Sequence, residues 1–245
     1  DDHGHGTHVS GIIGAGIDNG HGLTGIAPKV KLMPVKVLNQ NNGGKLSNVA
    51  NGIVWAVDQG AKIINLSMEA YSGQEKLREA MTYALKKDVL VVAAMGNDGQ
   101  NSARWPAAFS ESNPGVCAIG AITPDQKIAD FSNFGTWVTL SAPGKSIFST
   151  VPKGMGKNQQ SLNSLDYDVL DGTSQATPYV AGVAALLLSQ SPNLKPAELN
   201  QILIQSAIRL GEKSEFDLHY GHGLVNAYQA LKRAESGASN QPIEE

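Results

Sequence analysis

Three residues far apart in the chain have the types and settings of an acyl-transfer site. Ser174 heads a run that holds only apolar residues and glycine from Val180 to Leu188. A helix built from such a run has no polar face and belongs in the interior. A serine at its first turn either caps the helix or is offered to a cleft as a nucleophile. Pro178 has no N–H to give to the Ser174 carbonyl, so the first turn is irregular, as a presented side chain tolerates. His5 opens a glycine-rich apolar run that ends at Gly16, and histidine is the commonest general base. Asn97 follows the apolar β-type run 89–95, where its amide can donate to a developing oxyanion.

Positioning these side chains takes an alternation of strands and helices. Residues 30–38, 62–67, 89–95 and 116–122 read as strands. The 3–4 spacing of Leu46, Val49, Ile53, Ala56 and Val57 marks a helix, and 75–87, 196–207 and 224–234 mark three more. Strands that alternate with helices imply an α/β fold, a mostly parallel sheet with helices on both faces. Such sheets hold their sites beyond the carboxyl ends of the strands, where Ser67 and Asn97 both fall. Residues 5–16 read as a helix with His5 at its start, and His8 in it as a buried structural histidine.

The chain has 245 residues, 25.7 kDa and a net charge of −3. That length supports a sizeable core, with one domain as the default. The charge gives no electrostatic case for nucleic acid or an anionic membrane. The single cysteine, Cys117, lies in an apolar run, permits no intrachain disulfide and reads as a buried inert thiol. No apolar run reaches the ~18 residues of a membrane span.

The motifs around the three residues add a resemblance. H-G-T-H-V-S-G at 5–11, A-A-M-G-N-D-G at 93–99 and G-T-S-Q-A-T-P-Y-V-A-G at 172–182 resemble the histidine, oxyanion and serine motifs of the subtilisin family, the subtilases. Weaker matches fall at 25–28, 64–67, 141–144 and 220–226. The likeness covers residues 1–234 as one peptidase domain, with 235–245 as a polar tail or linker. It implies a three-layer subtilisin-like fold and a serine endopeptidase acting on protein or peptide substrates. Ser174 would be the nucleophile, His5 the base, and Asn97 with the Ser174 N–H the oxyanion donors. Gln175 stands where the family usually has methionine, which makes the site less sensitive to oxidation.

The family's order is Asp, His, Ser, with the aspartate in a D-[ST]-G motif a few tens of residues before the histidine motif. Only four residues precede His5 here. Asp1 and Asp2 are too close in sequence, and Asp130 and Asp217 lie in segments that do not match. The expectation is a subtilase cut off at its N-terminus, with the aspartate outside this chain and the isolated chain inactive or very weak. A pro-region and a secretory origin are implied by the resemblance alone. The alternative is a catalytically dead subtilase fragment that binds peptides. A third reading, an acyl transferase that ligates or cyclises peptides, needs the same residues.

The resemblance also implies a substrate strand lying between 42–44 and 67–69. Gly43, Gly44, Leu46, Ser67, Met68, Glu69, Ala94, Gly96 and Asp98 match positions of that groove and its primary pocket. Glu69 and Ala70 replace two family glycines. Glu69 and Asp98 either lend the pocket a preference for lysine or arginine or point to solvent, and the solvent reading is favoured. The loop 14–28 matches one that binds calcium in many subtilases, with Asn19 as side-chain ligand and the carbonyls of Ile17, His21 and Leu23. Its alternative is an Asx turn. Pro106 matches a position that is often cis, and 152–166 reads as a surface insertion.

Overall fold

The computed structural model describes residues 1–156, 165–211 and 215–236. Four parallel strands, β1 (Ile63–Leu66), β2 (Leu90–Ala94), β3 (Val116–Ile122) and β4 (Leu140–Pro143), pair in the order β1-β2-β3-β4. All five residues of β2 and all seven of β3 are buried. A strand covered on both faces has no need of a polar alternate residue, which is why these stretches read as continuous apolar runs.

The two faces carry separate cores. Val91, Ala93 and Met95 join Val116 and Ala118 against helices α2 (Leu46–Asp58) and α3 (Glu75–Lys86). Leu90 and Val92 join Cys117, Ile119 and Ala121 against α4 (Thr173–Gln190), α5 (Pro196–Gln205) and α6 (Ala227–Glu235). Helix α4 touches all four strands. Eleven of its eighteen residues are buried, which accounts for its lack of a polar face. Helix α1 (His5–Gly14) packs along α4. The α/β, three-layer class is the one expected.

Two departures affect the site. Residues 30–38 form no strand, against expectation. Their side chains do pack: Val35 and Val37 rest on the core and crowd Gly52 of α2, where a Cβ would meet Val37 Cγ1 at 2.6 Å. Their backbone lacks a neighbouring strand, and β1 pairs on one side only among the described residues. An antiparallel pair, β5 (Ile147–Thr150) with β6 (Tyr167–Leu170), was not foreseen. Its partners lie on either side of the 152–166 insertion, whose middle, 157–164, is outside the described residues, as is the tail from 237. The Trp105–Pro106 peptide bond is cis. Among the described residues no helix is long and apolar enough to cross a membrane.

Candidate active site

Helix α4 is capped at its N-terminus by Gly172, whose φ of 152° and whose contacts leave little room for a side chain: a Cβ there would meet Gln175 Oε1 at 2.7 Å. Thr173, fully buried, donates both its N–H (2.8 Å) and its hydroxyl (3.1 Å) to Asn97 Oδ1. The Gly96 N–H donates to the same hydroxyl at 3.2 Å. Two donors on one amide oxygen fix which end of the Asn97 side chain is which, and they leave the Nδ2 donor for the exposed side. Asn133, buried, accepts the Asp98 and Gln100 N–H groups on Oδ1 (3.0 and 3.2 Å) and so holds the loop that follows β2.

Ser174 is tied to β1. Pro178 leaves the Ser174 carbonyl without its helical donor, and the Ser67 hydroxyl donates to it instead at 2.7 Å. The Ser174 hydroxyl in turn donates to the Ser67 carbonyl at 3.3 Å, and Asn65 Nδ2 donates to Ser67 Oγ at 2.9 Å. The end of β1 and the start of α4 thus supply each other's missing partners.

His5 heads α1. No hydrogen bond joins its ring to Ser174 or to any carboxylate among the described residues. Burial holds its pKa down at about 4, with the neighbouring His3 and His8 adding to the fall. Both nearby aspartates are committed elsewhere. Asp1 accepts the N–H groups of His3, Gly4 and Thr7 and the Thr7 hydroxyl, an anion at the positive end of α1. Asp2 pairs with Lys36 at 2.8 Å. His8 is fully buried with Nε2 3.1 Å from the Ile147 carbonyl, while Ser149 donates to the His8 carbonyl at 2.7 Å. It clamps α1 to β5, the structural role expected.

A groove of about 550 Å³ opens beside Ser174 and Asn97. Of the residues expected around it, Gly43, Gly44, Leu46, Ser67, Met68, Glu69, Ala94 and Gly96 line it. It meets a second cavity of about 690 Å³ at Leu38, Gly43 and Gly44, so the depression runs on along 36–48. His5 and Asp98 are not among the lining residues. Asp98 is paired with Arg104, 2.6 Å from Nη2, so its carboxylate is not free in solvent, although both Glu69 and Asp98 keep exposed surface. Their side chains are 31% and 29% exposed and face a guanidinium that is 10% exposed. Thr173 and Arg104 were missed by sequence reasoning. For Arg104 a signal existed, since it is the only cation between Lys87 and Lys127.

The calcium loop fits less well. Asn19 Oδ1 accepts the His21 N–H at 3.0 Å, the Asx turn that was the alternative. With the carbonyls of Ile17, His21 and Leu23 the loop offers at most four of the six to eight oxygens calcium takes, and no cluster of three His, Cys, Asp or Glu occurs among the described residues. The residues present do not make a calcium site by themselves.

The profile of the subtilase family matches residues 1–223. The chain belongs to the subtilase family. It is 38% identical over 236 residues to subtilisin DY of Bacillus licheniformis, covering 95% of this chain and 79% of that protein. It is 40% identical to the thermostable alkaline protease of Halalkalibacterium halodurans, covering 95% and 59%. The chain spans 52% of the thermophilic serine proteinase of a Bacillus strain, at 38% identity over 93% of this chain, so it accounts for about half the length of some relatives. Among solved structures, a lanthipeptide protease superposes with a TM-score of 0.81 at 31% identity over 94% of this chain and 75% of the other. The prenylagaramide maturation protease PagA gives 0.78 at 33%, over 94% and 82%. By family this subtilase is a serine endopeptidase, and the dead-fragment alternative is not favoured.

Proposed function

We propose that this subtilase hydrolyses peptide bonds with Ser174 as nucleophile, His5 as proton carrier and Asn97 as oxyanion donor. The observation that carries the reading is the double clamp of Thr173 on Asn97 Oδ1. It holds an amide donor at the start of the helix that bears the serine, beside a peptide-sized groove.

The peptide lies in the groove and its carbonyl carbon meets Ser174 Oγ. As the C–O bond forms, the hydroxyl proton passes to His5, and the negative oxygen is held by Asn97 Nδ2 and the Ser174 N–H. His5 returns the proton to the leaving amine. Water then repeats the sequence on the acyl-enzyme, with His5 again accepting and returning the proton. A histidine with a pKa near 4 is a poor acceptor at neutral pH. The mechanism therefore needs a carboxylate beside His5 that orients the ring and steadies its positive charge. Protein or peptide substrates follow from the family, and secretion is carried over from the resemblance to bacterial subtilisins.

The test is acylation of the purified chain by a fluorophosphonate. The reading expects a single slow adduct on Ser174, absent in Ser174→Ala and slowed in Asn97→Ala. An adduct on another residue, or an equally fast adduct in Asn97→Ala, would refute it.

A further inference from the structure

Behind the groove wall beside Asn97 lies an ionic cluster centred on Arg104, a residue outside the quoted family motifs. Arg104 is 10% exposed. Its Nη2 pairs with Asp98 at 2.6 Å, its Nη1 donates to Ser102 Oγ at 2.7 Å, and its guanidinium lies 4.3 Å over the ring of Tyr71. Its Nε is buried without a hydrogen-bond partner, and the Glu69 carboxylate stands 3.9 Å from it. Asp98 thus takes the close contact and Glu69 the loose one. Two carboxylates against one guanidinium leave a net charge of −1, and the carboxylate that is least compensated is also the one that lines the groove.

Glu69 is packed against the oxyanion segment. A Cβ on Gly96 would meet its Oε2 at 2.3 Å and Arg104 Cγ at 2.8 Å. Burial and the nearby Asp98 push its carboxyl up, while the Asn97 N–H and Arg104 oppose the rise. Glu69 lines the same groove as Asn97 and Ser174, so on the peptidase reading the residue whose carbonyl Asn97 holds has its side chain beside Glu69.

We propose that Glu69 is the specificity-determining residue of the groove: its carboxylate favours lysine or arginine on the substrate residue immediately before the scissile bond, and Arg104 limits the strength of that preference. The proposal rests on the peptidase reading of the groove. An acidic side chain meets a net negative wall and is disfavoured. A neutral apolar chain of the same length is accepted but gains nothing from Glu69.

Binding tests this without turnover. Fluorescent hexapeptides that differ only in a C-terminal lysine, norleucine or glutamate are titrated into the chain at low and high salt. Lysine is expected to bind about three- to tenfold more tightly than norleucine at low salt, with the gap closing at high salt and glutamate weakest. Glu69→Gln equalises lysine and norleucine, and Arg104→Met widens the lysine advantage. Because Arg104→Met removes a buried side chain and can harm folding, the Glu69→Gln and salt comparisons carry the test. Equal binding of lysine and norleucine by the wild type, or a lysine advantage that survives Glu69→Gln, overturns the proposal alone. No binding of any peptide overturns the groove assignment and the proposal with it.

Discussion

Changing Thr173 to valine keeps the volume of a fully buried side chain and removes only its hydroxyl. Two hydrogen bonds go: the donor to Asn97 Oδ1 and the acceptor of the Gly96 N–H. The Asn97 oxygen keeps the Thr173 N–H at 2.8 Å, so the amide is held by one contact and can swing. Losing the amide outright, as in Asn97→Ala, costs ~10²–10³ in rate on figures borrowed from subtilisin-type enzymes. A loosened amide keeps part of that, and the expected loss for Thr173→Val is roughly tenfold. The stranded Gly96 N–H costs about 1–3 kcal/mol of stability. Thr173→Ser keeps the hydroxyl and should keep the rate within about twofold, or ~0.4 kcal/mol. The assay is the second-order rate of fluorophosphonate acylation, read beside a thermal melt. A Thr173→Val chain that melts earlier yet acylates at the wild-type rate would refute the reasoning, because the hydroxyl would then serve the fold and not the amide.

Other expectations follow from the same contacts. His5 has its pKa lowered from 6.5 to about 4, so between those values the unfolded chain binds the proton more readily. Stability is then complete above pH 6.5 and falls by up to about 3 kcal/mol as the pH drops to 4. Denaturation at several pH values checks this, and His5→Gln should flatten the slope. Burial raises the Cys117 thiol and keeps it from solvent, so a thiol reagent should react only after unfolding, and fast labelling of the native chain would contradict the packing. Leu187, fully buried between α4 and the sheet, should cost about 2–5 kcal/mol when replaced by alanine, read as a drop in melting temperature with the acylation rate of the folded fraction unchanged. Gly25→Ala should damage the loop after α1, since its Cβ would lie 2.5 Å from the backbone nitrogens of Gly14 and Ala15.

Much of this was legible in the sequence because the signals were local. The buried strands β2 and β3 are unbroken apolar runs, and α2 shows its inner face in the spacing of Val49, Ile53 and Val57. Ser67 and Asn97 follow strand ends, and so sheet topology alone brought them together. What stayed hidden depends on partners distant in sequence. Residues 30–38 have the composition of a strand, but strand formation needs a neighbour, and composition does not say whether one is there. The β5–β6 pair closes around an insertion and its pairing is set from outside. Glu69 and Asp98 read either as pocket charges or as solvent-facing ones, Arg104 drew no reading, and only the fold shows that Arg104 is buried against both. Thr173 looked like an unremarkable residue before the serine. Its role came from having two donors within reach of an amide 76 residues away.

The central claim is that Ser174 is a nucleophile served by His5 and Asn97. Locating the fluorophosphonate adduct by mass spectrometry, in the wild type, Ser174→Ala, His5→Ala and Asn97→Ala, tests it most directly. The account predicts one slow adduct on Ser174, absent in Ser174→Ala and slowed at least about tenfold, ~1.4 kcal/mol of barrier, in each of the other two. An adduct on another residue, or a Ser174 adduct that forms equally fast without His5 and Asn97, would contradict it.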